Sequence, residues 1–161
     1  MPRKTDTITP WIARTKKELE ALQHMKIYVG IQGENDGELL TYAAAHEYGA
    51  TIQGTTKKGE SFTTVIPERS FIRASFNANR ERIQGFVSSA VNKIIREGWT
   101  AQQAAKEIGA NCLSVVQEYF NTSITPPTSP ETMKRKSVEQ TLFDSGRLYA
   151  SLTYRVEEGG P

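Results

Sequence analysis

Two long amphipathic runs, residues 69–98 and 100–120, lie nearly end to end, with the turn residues Gly98 and Trp99 at their junction. In the first, Ile83, Phe86, Val87, Ala90, Val91, Ile94 and Ile95 recur at helical spacing and make one apolar stripe. Gly98 stops that run, and Thr100 with Gln103 supplies a capping-box pattern that starts the next. The second run carries Ala101, Ala104, Ala105, Ile108, Cys112, Val115, Val116, Tyr119 and Phe120 on its inner face. Helices joined by so short a break bury their stripes most economically against each other. The pattern therefore predicts an antiparallel helix pair around which the rest must fold.

The flanks alternate between strand and helix signals. Thr9 can cap a first helix and Pro10 suits its first turn, where a missing N–H costs nothing. Ile12, Leu19 and Leu22 then share a face, and the helix should end near His24, so that residues 1–25 form an N-terminal helix. "KIYVGI" alternates as a strand does, and "QGENDG" is a polar loop. Residues 38–48 read as a short helix stopped by Gly49. Residues 51–56 and 60–66 read as a long β-hairpin whose exposed "TKKGE" tip carries Lys57 and Lys58. Pro67 ends it. Ser70 can then cap the following helix, with Phe71 and Ile72 anchoring the first turn. Arg69 and Arg73, four apart, are placed to hold Glu47 or Asp144, as fold-maintaining ion pairs.

Beyond Ser123 the apolar periodicity disappears. Pro126, Pro127 and Pro130 disfavour regular hydrogen bonding, and Lys134, Arg135 and Lys136 follow. Residues 124–141 read as an extended, exposed, Pro-rich basic arm. A short helix around "SGRLYASL" and a closing strand "LTYRVEE" complete the chain. The expected fold is α+β: an antiparallel sheet with a long β-hairpin, packed against an antiparallel pair of long helices plus shorter helices. It is expected to span residues 1–161 as a single domain.

Bulk properties narrow the function classes. The 161 residues suffice for a real core, and 37% hydrophobic with 24% charged residues is ordinary for a globular protein. A formal net charge of +2 is too small for a dedicated nucleic-acid binder. The lone Cys112 rules out an intramolecular disulfide. "MPRKTDTITPW" has no apolar segment typical of a secretory signal, and no run approaches the roughly 18–20 apolar residues that cross a bilayer. A soluble product made in the cytosol is expected, with no membrane partner.

Sites of chemistry are hard to find. His24 and His46 are the two histidines, and "HEYGA" lacks the second histidine of a zinc-protease helix. Cys112 lies on an apolar stripe and reads as a small buried hydrophobe rather than a nucleophile. "FDSGRL" lacks the Gly-x-Ser-x-Gly of a nucleophile elbow, so Asp144 or Ser145 reads as a helix cap. Glu34, Asp36 and Glu38 read as a solvated turn rather than a cation site. No phosphate-cradling loop is present. No catalytic residue, metal or cofactor is expected. The exposed lysine clusters can meet either a nucleic-acid backbone or an acidic protein surface. A nucleic-acid-associated basic module without catalytic activity is therefore the alternative to an assembly protein.

Four segments occur in order: "AAAHEYGA", "IPERSFIRASF", "PPTSPETMKRK" and "LFDSGRLYASLTYRV". This set resembles the virion-morphogenesis, or minor tail-component, family of tailed bacteriophages and prophages. The matching positions are His46, Glu47, Tyr48 and Gly49; Pro67, Arg69, Phe71 and Arg73; Pro126, Pro127, Ser129, Thr132, Lys134 and Lys136; and Asp144, Ser145, Gly146, Leu148 and Ser151. The resemblance covers roughly residues 26–156 and leaves the N-terminal helix unmatched. It implies a structural virion protein, made in the bacterial host cytoplasm, that joins the head connector to the tail or completes the tail end. The implied partners are copies of itself in a ring (a hexamer or, on a connector, a twelve-fold ring), connector or adaptor proteins, and tail-terminator or tail-tube proteins. On this resemblance Lys57, Lys58, Pro126, Pro127, Lys134, Arg135 and Lys136 are interaction residues. The lysines could also touch passing DNA without reading its sequence.

Overall fold

A computed structural model of the chain describes residues 4–32, 37–122, 124 and 146–159. The elements are α1 (Lys4–His24), β1 (Met25–Ile31), α2 (Gly37–Tyr48), β2 (Ala50–Thr55), β3 (Ser61–Ile66), α3 (Ile72–Ala78), α4 (Arg80–Glu97), α5 (Ala101–Phe120), α6 (Arg147–Ala150) and β4 (Leu152–Glu158). The fold is α+β, and the strands form two small sheets, β1 with β4 and β2 with β3. The chain makes two compact units. One comprises residues 1–29, 79–113 and 154–161, and the other 30–78 and 114–153.

Two helices differ from the sequence pattern. α1 begins at Lys4, so Pro10 lies inside it rather than in its first turn. A proline inside a helix removes one N–H bond and crowds the carbonyl four residues back; here the helix continues past that local loss. The run expected as one long helix over 69–98 is divided at Asn79, whose φ of −117° and ψ of 25° leave the helical region. Asn77 stands two residues before it, and asparagine side chains compete with helical hydrogen bonds by bonding to nearby backbone.

In the first unit, Ala90 and Ile94 of α4 and Ala101, Ala104, Ala105, Ile108 and Cys112 of α5 are buried. The α4 stripe is wider than the seam along which helices touch, and Val87 at its edge is exposed. Gly98 ends α4 at φ +76°, a left-handed conformation that glycine adopts without strain, and its N–H bonds to the Lys93 carbonyl. The capping box forms as the sequence predicts: Thr100 N–H donates to Gln103 Oε1 at 2.9 Å, and Gln103 N–H donates to Thr100 Oγ1 at 3.2 Å. Lys93 Nζ donates to both oxygens of Glu107 at 2.8 Å, pairing α4 with α5 across the turn.

α1 packs against α4. Its Arg14 guanidinium lies over Gly98, so close that a Cβ there would sit 2.8 Å from Nη2. One turn along, Glu18 Oε2 accepts the Ala101 N–H at 2.8 Å. A cation thus meets the C-terminus of α4 and an anion the N-terminus of α5, each matching the local helix dipole. The Gly159 N–H donates to the His24 carbonyl at 2.8 Å, where β4 ends beside the start of β1. The Tyr154 ring of β4 lies against the Gly109 backbone of α5, where any larger side chain would collide.

In the second unit the core is Ala43, Phe71, Val115, Val116, Phe120, Ile124, Leu148 and Leu152. Phe71 meets Phe120 edge to face, with centroids 5.4 Å apart, and Phe120 meets Tyr149 at 5.6 Å. α2 packs against α6. The hairpin is antiparallel in the register Ala50↔Ile66 through Thr55↔Ser61. Its turn is closed by bonds from Thr56 N–H to the Glu60 carbonyl at 2.8 Å and from Gly59 N–H to the Thr56 carbonyl at 2.9 Å.

Candidate functional site

Residues of the first two sequence motifs meet at one knot in the second unit. α2 ends in His46–Glu47–Tyr48, and Gly49 turns the chain into β2 at φ +74°. A Cβ on Gly49 would crowd the Glu68 N and the Ile66 carbonyl at 3.2 Å each, so the turn favours glycine for its space as well as its φ. The hairpin carries the chain out and back. On its return the Arg69 N–H donates to the His46 carbonyl at 2.7 Å. Pro67 follows the last residue of β3, as the sequence predicts.

The next residues close around one carboxylate. Glu47 Oε2 accepts the N–H groups of Phe71 at 2.9 Å and Ile72 at 3.0 Å. Glu47 Oε1 accepts the Ser70 hydroxyl at 2.7 Å, the Arg73 N–H at 2.9 Å and Arg73 Nε at 3.1 Å. The carboxylate thereby satisfies backbone N–H groups that the first turn of α3 would otherwise leave unpaired. Ser70 Oγ accepts the Ala74 N–H at 3.2 Å, giving it the capping role expected from its position.

The electrostatics favour the anion. Burial pushes the Glu47 carboxyl up, but bonds from the N–H groups of Arg73 and Ile72, the Ser70 hydroxyl and the Phe71 N–H outweigh it. Its pKa lies below the ordinary value. Arg73 completes the shell: Nη2 reaches the Glu47 carbonyl at 2.7 Å and Glu68 Oε1 at 2.8 Å, and the guanidinium lies 4.5 Å from the Tyr48 ring centroid. Arg69 is buried; burial pushes its guanidinium down, and the nearby Tyr42 partly offsets this. Arg73 meets the Glu47 carboxylate. His46 is buried, with its ring edge-on to Tyr42 at 4.4 Å.

The other expected residues are spread out. Lys57 and Lys58 are exposed at the hairpin tip. Gly146 precedes α6 at φ +69°, and Leu148 is buried. Pro126, Pro127, Lys134, Arg135, Lys136 and Asp144 lie outside the described residues, as does the arm of 124–141 after Ile124. Cys112 is buried, and burial pushes its thiol up. Among the described residues no group of three or more His, Cys, Asp and Glu is placed to hold a metal ion. Among the described residues no helix is long and apolar enough to cross a membrane.

Sequence reasoning offered Glu47 an arginine but missed its main task as the cap of α3, whose donors stand 23 to 26 residues away. It also missed Arg14 and Glu18, which no motif marks. No protein-family model matches this chain, and neither a curated protein nor a solved structure matches it.

Proposed function

We propose that this chain is a non-catalytic structural subunit of a tailed-phage or prophage virion. It joins the head connector to the tail or completes the tail end, and it acts in a closed ring at the neck or upper tail. The four ordered motifs support the reading. The observation that carries it is how residues of the first two motifs are used: Glu47, Ser70, Phe71 and Arg73 are bound to one another and to the start of α3. Their polar groups maintain a shape, as expected of a subunit whose product is an assembly.

In this reading the basic arm of 124–141 lies against a neighbouring subunit, where its restricted proline backbone lowers the entropy lost on docking. Its Lys134, Arg135 and Lys136 meet carboxylates there. Lys57 and Lys58 are the residues that touch passing DNA.

Native mass spectrometry across concentration tests the ring. A discrete closed oligomer of about six copies is expected, alone or on its connector or tail-tube partner. A strict monomer under all of these conditions overturns the proposal.

A further inference from the structure

α1 offers little apolar surface to the body it lies on. Among its described side chains Thr15 is the one that is buried; Glu18, Leu19, Ala21 and Leu22 are half-buried. Trp11 and Ile12, the largest apolar side chains of its described part, are exposed at 46% and 51%. The buried residue is itself polar. Thr15 Oγ1 has no hydrogen-bond partner among the described residues, and a hydroxyl taken from water without a partner opposes docking. Pro10 adds a second weakness by denying α1 one of its own helical hydrogen bonds.

What holds α1 down is polar and gathered at one place. Glu18 Oε2 accepts the Ala101 N–H at 2.8 Å, and the Arg14 guanidinium, one turn earlier on α1, lies over Gly98. Both contacts close on the α4–α5 turn. At its other end α1 runs into β1 without a loop, His24 to Met25. There the Gly159 N–H donates to the His24 carbonyl at 2.8 Å and ties the junction to the end of β4. A helix with one tied end, one polar latch and little apolar burial opens at lower free energy than the core beneath it.

We propose that α1 is a latched strap. It opens about the His24–Met25 junction, releasing Glu18 and Arg14 from the α4–α5 turn, while α4, α5 and the pairing of β1 with β4 stay folded. Opening gives water to the Thr15 hydroxyl. It also strips the α1 partners from the Ala101 N–H and from the C-terminal end of α4. The turn between the two long helices is therefore covered in one form of the chain and bare in the other. A helix of 21 residues off its support is marginal in water, so the open strap also gives up its own hydrogen bonds. This device does not depend on the ring reading.

Hydrogen exchange on the intact chain, read by mass spectrometry over α1, α4, α5 and β4, tests the strap. The amides of residues 14–24 should exchange together, about tenfold or more faster than the interior amides of α4 and α5. Glu18→Ala, which removes the latch, should speed α1 exchange about fivefold. Thr15→Val, which keeps the shape and removes the hydroxyl, should slow it by about the same factor. Opposite shifts confined to α1 and the Ala101 turn are the expected result. An α1 that exchanges as slowly as α5 overturns the proposal, as do amides that exchange progressively faster toward Lys4, the mark of simple fraying. So does an α1 rate that Glu18→Ala leaves unchanged or that Thr15→Val fails to slow, and so do shifts spread evenly over α4, α5 and β4.

Discussion

Arg73 grips Glu47 at two points: its Nε bonds the carboxylate at 3.1 Å and its Nη2 bonds the backbone carbonyl at 2.7 Å. The end of α2 and the start of α3 are thereby held together across the whole hairpin excursion. The carboxylate is only 6% exposed, whereas the guanidinium is 48% exposed. The buried partner therefore carries most of the energetic weight, and the exposed one chiefly orients it.

Glu47→Ala should leave the N–H groups of Phe71, Ile72 and Arg73 without their acceptor. The expected loss is about 3–5 kcal/mol of folding stability, with Glu47→Gln intermediate because an amide supplies only one acceptor oxygen. Arg73→Ala should cost less than Glu47→Ala. Chemical denaturation of the three variants checks this order; equal losses would contradict the division of roles.

The lowered pKa of Glu47 gives a signed pH dependence. A carboxylate whose folded pKa is depressed contributes stability fully above its unfolded pKa and loses it as pH falls through the folded one. Stability should therefore decline on acidification between the ordinary glutamate value and the lower folded value. Glu47→Gln should flatten that part of the acid limb. Thermal melts across the acid range, compared between the two proteins, measure the effect.

The clamp formed by Arg14 and Glu18 makes a separate prediction. Glu18→Ala removes the acceptor of the Ala101 N–H and should cost about 1 kcal/mol. Gly98→Ala must adopt a left-handed φ and displace Arg14, costing about 1–2 kcal/mol. Hydrogen exchange should show faster opening at the α4–α5 turn in both variants.

Phe71 is fully buried and meets Phe120 edge to face. Phe71→Ala should cost about 3–5 kcal/mol through lost burial and a residual cavity. Phe71→Leu should recover much of it, as measured by denaturation midpoints.

At the hairpin tip, Lys57→Glu combined with Lys58→Glu should leave the fold unchanged, because both side chains are exposed. If this tip faces a DNA path, particles carrying the pair should release DNA poorly while rings still form in favourable salt. Infectivity and ring formation are measured on the same preparation, and unaltered infectivity counts against that placement.

Local spacing by itself determined α2, α5, the hairpin and the glycine stops at Gly49 and Gly98. Helical periodicity, β-branched alternation and turn chemistry act within a few residues, so the chain displays them directly. The capping box of Thr100 and Gln103 was legible for the same reason. The break at Asn79 was less legible, because a weak asparagine effect competed with a continuous apolar stripe. Only the tertiary structure decided that Glu47 caps a helix across the hairpin and that Glu18 caps one 83 residues away. An unpaired N–H at a helix start can donate to any carboxylate that packing delivers, and nothing in either local sequence specifies which one arrives.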